Sequence, residues 1–260
     1  MEILGVDFGG SGIKGAPVDT QTGTLIAPRF RLPTPSPSKP QAVAETIAEI
    51  VKNFNWQGLI GCGYPGVVQN GVTMSAANVH KQWIGLDAAT LLTNVTGCQS
   101  FVMNDADAAG LAEMTFGAGK GRKGVVFIVT IGTGLGTALF KDGILMPNTE
   151  FGHIEIDCQD AETFATDAAR KHLKLSWKQW ARHFNKYLLT MEKLVSPDLI
   201  ILGGGISKQY DRFVPYLTTR AEIVPAQMFN EAGIVGAALA ACLLLSASAD
   251  TRDASLGQTA

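Results

Sequence analysis

The sequence predicts an α/β protein, and three observations predict it. Short apolar runs ending at glycines precede segments whose apolar residues recur at helical spacing, and this order holds in both halves of the chain. The run Val125 to Ile131, dense in Val and Ile, is the most β-like stretch. Finally, the turn Gly5-Val6-Asp7-Phe8-Gly9-Gly10-Ser11-Gly12 has a counterpart of the same style in Thr130-Ile131-Gly132-Thr133-Gly134-Leu135-Gly136. Each closes one strand and opens another, so two related half-domains facing a shared cleft are expected.

Taken in order, Glu2 to Phe8 reads as a buried strand, and Ile13 to Asp19 and Thr24 to Leu32 as the strands that follow it. Pro33 to Pro40 is a stiff surface loop, because proline lacks an amide donor and restricts the residue before it. Ala42, Ile47, Ile50, Val51 and Phe54 then recur at helical spacing, and Gly58 to Gly63 is a strand running into Pro65-Gly66. Leu86 to Val95 predicts a helix, Gln99 to Met103 a strand that delivers Asn104-Asp105, and Ala106 to Met114 another helix. Val125 to Ile131 should pair with Thr137 to Phe140, and Lys141-Asp142-Gly143 should turn the chain toward Ile144-Leu145. Two helices are expected between Ala161 and Val195, a strand at Asp198 to Leu202, a helix at Ile206 to Leu217 and a last helix at Ala232 to Leu245. The small, polar residues 246–260 read as an irregular tail. An N-terminal lobe of 1–108, with the last helix packed back on it, and a C-terminal lobe of 109–231 are expected.

At 260 residues the chain is long enough to bury a substantial core in one or two domains. A hydrophobic share of 46% against 17% charged excludes a disordered chain, and a formal net charge of -2 removes the bulk positive charge that favours nonspecific nucleic-acid binding. Cys62, Cys98, Cys158 and Cys242 are scattered without C-x-x-C spacing, which argues against a disulfide framework and a cysteine-only zinc site. Met1 to Gly5 lacks a charged region followed by an apolar block, and the run from Ala232 to Leu245 is short for a membrane span. A cytoplasmic protein with no membrane or nucleic-acid partner is expected.

A glycine turn lets backbone amides face an anion without Cβ crowding. Asp7 before the first turn is placed to hold Mg²⁺ through water, Ser11 and Lys14 to add a hydroxyl and a charge, and Thr133 to do the same in the second turn. Either turn alone fits a plain hairpin equally well; together, with a strand-end Asp, they point to phosphate. Gly117-Ala118-Gly119-Lys120-Gly121 fails as a P-loop on spacing, and no glycine turn opens a helix as a dinucleotide fingerprint requires.

In chain order, Asp7-Phe8-Gly9-Gly10-Ser11 with Lys14, Pro65-Gly66, Asn104-Asp105-Ala106-Asp107, Ile131 to Gly136, Glu150-Phe151-Gly152-His153 and Leu202-Gly203-Gly204-Gly205 form an ordered set. This set resembles the ROK family of sugar kinases, of the actin-like ATPase (ribonuclease H-like) fold with two α/β lobes around a central cleft. The resemblance spans about residues 2–245 and is greatest to the polyphosphate glucokinase branch, which includes the polyphosphate/ATP glucomannokinases. It implies transfer of a phosphoryl group from inorganic polyphosphate or ATP, with Mg²⁺, to the 6-hydroxyl of glucose or mannose. Asp105 would be the catalytic base, with Asn104 beside it, and Gly66, Asn78, Glu150 and His153 would contact other sugar hydroxyls. Gly9, Gly10, Ser11 and Lys14 would line one phosphate site and Gly132, Thr133 and Gly134 the other, with Gly203, Gly204 and Gly205 against a nucleoside. A homodimer is implied by the same analogy.

Many members of the family carry zinc on a histidine and a cysteine cluster just downstream. Here His153 is followed by Ile154-Glu155-Ile156-Asp157-Cys158-Gln159-Asp160, with one cysteine, so no zinc and a sugar-binding role for His153 are expected. Whether Glu155 or another residue replaces the sugar-binding Glu of the zinc-bearing relatives stays open. The first strand begins at Glu2, so the DNA-binding region of the family's regulators is not expected.

Two residues and one helix face have plain alternatives. Asp105 could simply cap a helix, although Asp107 is the safer candidate for that task, and Trp83 could stack on a sugar or sit half-buried in a loop. Arg170, Lys174, Lys178, Arg182 and Lys186 are each four residues apart, with Lys171 and Lys193 nearby and only Glu192 opposing. From about Ser176 the apolar Trp177, Trp180, Ala181, Phe184, Leu188 and Met191 take the opposite helix face. The basic face is either solvated or a track for polyphosphate, with Lys120, Arg122 and Lys123 as a second cluster. Two other functions compete: an ATP-only kinase of another hexose, and a non-catalytic sugar or nucleotide sensor that would not need Asp105.

Overall fold

The computed structural model describes residues 1–256 and has two compact units, Met1–Leu111 with the last helix from Gly233, and Ala112–Ala232. In the first, the strand Glu2–Gly9 is antiparallel to Gly12–Asp19 on one side and parallel to Ile60–Tyr64 on the other, and Ile60–Tyr64 is in turn parallel to Ser100–Asn104. In place of one strand from Thr24 to Leu32, two short strands, Thr24–Leu25 and Phe30–Leu32, pair with opposite ends of Gly12–Asp19. Pro28 lies in the break between them, where it has no amide to give to a ladder. The helix Pro40–Asn53 starts on a proline, which needs no amide partner there, and buries Val43, Ala44, Ile47, Ile50 and Val51. The helix expected from Leu86 starts at Ala88, capped by Asp87, whose side chain accepts from the Thr90 amide. Leu86–Asp87 instead joins Val68–Gln69 and Val72–Thr73 in a small sheet whose two-residue strands are too short to show a period in sequence.

Glycines decide how this unit packs. Gly5 and Gly61 are register partners on adjacent parallel strands. A Cβ on either would fall inside the backbone of the last helix, Ala232–Leu256, at the carbonyls of Ile234 and Ala237 respectively. Gly236 of that helix likewise admits the carbonyl of Ala108, and Gly63 lies 3.3 Å, measured from its would-be Cβ, from the Asp105 Cα. The last helix is therefore seated backbone to backbone on the sheet and against the helix Asp105–Phe116. Its window Phe229–Ser246 is long and apolar enough to cross a membrane, but Ile234, Val235, Ala237, Ala238 and Ala241 are buried in this seat, as in a core helix. The helix runs to Leu256 rather than 245, so the irregular tail expected from 246 is helical that far, and 257–260 lie outside the described residues.

The second unit repeats the plan. Val125–Ile131 is antiparallel to Leu135–Lys141 and parallel to Leu199–Gly203, with Ile144–Met146 and Glu222–Pro225 at the two edges. The echo of glycine turns is thus an echo of topology: hairpin on one side, parallel strands on the other. Between 161 and 195 there are three helices rather than two, Glu162–Ala165, Asp167–His172 and Trp177–Val195. Thr166 separates the first pair and caps the second helix by accepting from the Ala169 amide. Trp177–Val195 opens with a capping box between Ser176 and Gln179 and buries Trp180, Ala181, Phe184, Leu188 and Met191, the predicted face. The helix expected from Ile206 to Leu217 is two 3₁₀ segments, Gly205–Arg212 and Val214–Tyr216, the second carrying Pro215. The strand Glu222–Pro225 was not predicted: four residues ending in proline give little alternation to read.

Because the collision at Gly61 is with backbone rather than a movable side chain, Gly61→Val is expected to destabilise the protein by about 3 kcal/mol or more, read as a lower thermal midpoint. An unchanged midpoint would mean that the last helix is not seated this way.

Candidate active site

In the first unit the functional side chains gather at the carboxyl ends of the parallel strands, where open α/β sheets bind ligands. Asp7 and Lys14 are cross-strand partners, and the Lys14 ammonium is 2.7 Å from Asp7 Oδ2 in a largely buried pair. Gly233 leaves room for this carboxylate, since a Cβ there would stand 2.8 Å from Asp7 Cγ. Gly9 and Gly12 pair, so Gly10 and Ser11 form a two-residue hairpin tip, and the space a Cβ on Gly10 would fill is open. Thr34 Oγ1 donates to the Gly9 carbonyl at 2.6 Å and Arg31 Nη2 to the Ser11 carbonyl at 2.9 Å.

Asp105 follows the strand Ser100–Asn104 as the first residue of its helix, half-buried over Gly63. Asn104 is 4% exposed; its amide donates to the Gly66 carbonyl at 3.1 Å, and its Oδ1 accepts from the Asp107 amide at 2.9 Å. The capping task expected of Asp107 therefore falls to Asn104, and Asp107 is itself buried. Asn104 also fixes Gly66, whose would-be Cβ is blocked by Ser75 Oγ at 2.8 Å. Cys62 lies on the strand between those that carry Asp7 and deliver Asp105, in the core on the other face of the sheet, and its thiol is pushed well up by burial and then by the charges of Asp7 and Asp105, so it stays protonated. Asn78 lies on an exposed bend. Trp83 is no sugar platform: it is 1% exposed, with its ring against Tyr64 and Phe8 and its indole N–H on the Ser38 carbonyl.

In the second unit Ile131 pairs with Leu135, leaving Gly132-Thr133-Gly134 as the turn, with Thr133 exposed. Gly204, at φ 78, lies against the backbone of Ile131, a close approach that only glycine permits, so Gly203 to Gly205 and the turn are brought together. His153, on the short turn Phe151–His153 that follows Glu150, has Nδ1 3.0 Å from Asp160 Oδ2. Asp160 Oδ1 accepts from the Glu162 amide, and Glu162 Oε1 accepts from the Leu135 amide at 2.9 Å. One polar chain thus links His153 to the end of the second glycine turn. Glu155 is exposed, as is Cys158, which with Asp157 makes the tight turn between Glu155–Ile156 and Gln159–Asp160. Partial burial works against a charged His153, but Asp160, Glu162 and Glu150 outweigh it and raise its pKa.

Sequence reasoning missed Arg31 and Glu162. Nothing local marks either one; each reaches its turn through register or a distant helix start. Arg31 is the cross-strand partner of Lys14, so Asp7, Lys14 and Arg31 form a row across three strands. Two cations placed opposite each other repel, unless an anion lies between them.

The sequence profile of the ROK family matches residues 3–166. The polyphosphate glucokinase of Mycobacterium tuberculosis strain H37Rv is 49% identical over 238 residues, covering 91% of this chain and 90% of its own. The chain belongs to the ROK family. The crystal structure of the inorganic polyphosphate/ATP-glucomannokinase from Arthrobacter sp. strain KM superposes with a TM-score of 0.91 at 48% identity, covering 94% of this chain and 99% of that one. A ROK family glucokinase from Streptomyces griseus, solved with glucose and AMPPNP, shares the fold at a TM-score of 0.80 and 24% identity. The fold is accordingly that of the actin-like sugar kinases.

The His153–Asp160 pair has a definite pH signature. A raised folded-state pKa means the folded state holds this proton more tightly than the unfolded chain. The stability it contributes is therefore complete below the ordinary histidine pKa of about 6.5 and is lost as pH rises through the folded value. NMR titration should place His153 above the ordinary value, and Asp160→Asn should bring it down. An unmoved pKa in that variant would contradict the assignment.

Proposed function

We propose that this ROK protein is a sugar kinase that moves a phosphoryl group from inorganic polyphosphate or ATP to the 6-hydroxyl of glucose. The observation that carries the reading is the 49% identity to a polyphosphate glucokinase over nearly the whole of both chains. The geometry supports it: a carboxylate, Asp105, at a strand end beside the Asp7–Lys14 pair, with a glycine turn in each unit. Mannose as a second acceptor is supported by the likeness to the Arthrobacter glucomannokinase. A homodimer and a cytoplasmic location belong to the same proposal, on the family resemblance.

A sugar hydroxyl is a weak nucleophile. Asp105 accepts and orients the proton of the 6-hydroxyl as the new oxygen–phosphorus bond forms and the bridging bond to the donor breaks, leaving the donor one phosphate shorter. Such general-base help is worth about 10²–10⁴-fold. The transferring group passes through a loose transition state, so positioning and charge neutralisation carry most of the rate. The amides of Gly9, Gly10 and Ser11 with Lys14, and those of Gly132, Thr133 and Gly134, are assigned to the phosphates, and Gly203 to Gly205 to the nucleoside of ATP. Gly66, Asn78, Asn104, Glu150 and His153 are assigned to the sugar, Asn104 also holding Gly66 in place.

Among the described residues no group of three or more His, Cys, Asp or Glu side chains could hold a metal, so a protein cage is absent. The donor set fits Mg²⁺ in another way: an ion that keeps most of its waters would need only one carboxylate near the donor phosphates, and Asp7 at its strand end would supply it. When bound, the ion would neutralise charge on the phosphates.

Two variants test the reading. Asp105→Asn should lower kcat by about 10²–10⁴-fold with either donor while calorimetry still shows glucose binding; near-normal turnover would overturn the base assignment. Arg31→Gln removes a charged donor from the first turn and should raise the donor KM about tenfold or more with glucose KM nearly unchanged. Unchanged donor KM would mean Arg31 only braces the turn.

A further inference from the structure

We propose that polyphosphate too long for the glycine turns is held on the surface around Trp177 by Arg170, Arg212 and Lys178, an inference that rests on the donor reading above.

The surface begins at the second glycine turn. The Gly132 carbonyl accepts from the Ala168 amide at 3.2 Å, so the helix Asp167–His172 starts on that turn, and Arg170 stands two residues further along. Gly205 opens the segment that ends in Arg212. Both guanidiniums converge on one ring: Arg170 Cζ is 4.0 Å and Arg212 Cζ 5.6 Å from the Trp177 centroid. Lys178 Nζ lies 5.7 Å from the Tyr216 ring on the same stretch. The indole is itself held, stacked on Phe213 and edge-on to Trp180. Aromatic faces thus fix the cations in place and lower the entropy lost when a ligand binds them.

The charge balance favours a polyanion. From 168 to 191 there is no Asp or Glu, against Arg170, Lys171, Lys174, Lys178, Arg182 and Lys186. The acids facing this end are Asp167, which pairs with both Arg170 and Lys171, and the exposed Asp211 beside Arg212. Arg170, Lys171, Lys174, Lys178, Arg182 and Arg212 thus stand against two acids. The far end of the stripe differs, because Lys186 is paired with Asp157, and in the second basic cluster Arg122 is paired with Glu222. Arg170 and Lys171, nearest the glycine turn, share Asp167, and the excess positive charge lies beyond them, at Lys174, Lys178, Arg182 and Arg212 around the Trp177 surface. ATP ends its charge at three phosphates and continues as an uncharged nucleoside, whereas a linear polyphosphate carries charge at every unit and continues along such a surface.

The test uses the full-length enzyme and the double variant Arg212→Glu, Lys178→Glu, both exposed positions outside the catalytic machinery. The KM for long-chain polyphosphate should rise about tenfold, equivalent to about 1.4 kcal/mol. Its salt dependence should weaken, since fewer cations face the chain. KM for ATP and for tripolyphosphate should stay within about twofold, and Arg212→Lys should behave as the parent. A long-chain KM that does not move, or a rise equal for all three donors, overturns the proposal. If the unmodified enzyme turns over with ATP and not with any polyphosphate, polyphosphate is removed from the donor reading, and the surface falls with it.

Discussion

The candidate site depends on how closely backbone can approach backbone in the first unit. Gly5 and Gly61, side by side on parallel strands, admit the carbonyls of the last helix, and Gly236 admits the carbonyl of Ala108. Two residues along the same strand, Gly63 receives Asp105. The absence of four Cβ atoms thus sets the height of two helices above one sheet, and one of those helices begins with the proposed base. The same seat brings Gly233 onto Asp7, so the carboxylate that pairs with Lys14 is positioned by the chain's far end.

Buried polar groups then lock what the glycines allow. Asn104 joins the Gly66 carbonyl to the start of the Asp105 helix, and Glu162 joins the second glycine turn to Asp160 and His153. In each unit a side chain outside the turn fixes a residue that ligand chemistry would use. Buried polar groups are costly unless partnered, so these links also specify one arrangement over others. Cys62, on the strand between those that carry Asp7 and deliver Asp105, is buried in the core on the other face of the sheet, where its thiol stays neutral.

Much of this was legible in the sequence. The two hairpins with glycine tips and the helix Trp177–Val195 are written in patterns that survive any packing: period two, period 3.6, and turn chemistry. The positions of Asp7, Lys14 and Asp105 in the fold were legible because each sits at a fixed place relative to a hairpin or a strand end. Arg31 was not, because its link to Ser11 exists only once Lys14 and Arg31 are in register. Trp83 was ambiguous until its burial against Phe8 and Tyr64 removed it from any surface. The two-residue strands and the 3₁₀ segments from Gly205 to Tyr216 are too short or too irregular to carry a period. The basic stripe was visible as spacing, but which of its cations are neutralised was not: Asp157, the partner of Lys186, is 29 residues away.

The most direct test of the account is to follow purified protein with glucose, Mg²⁺ and nucleotide-free polyphosphate by phosphorus NMR. A phosphomonoester on the 6-hydroxyl of glucose is expected, accumulating as the polyphosphate shortens. Release of inorganic phosphate without a sugar ester, or no reaction with polyphosphate while ATP supports phosphorylation of a different hexose, would contradict it.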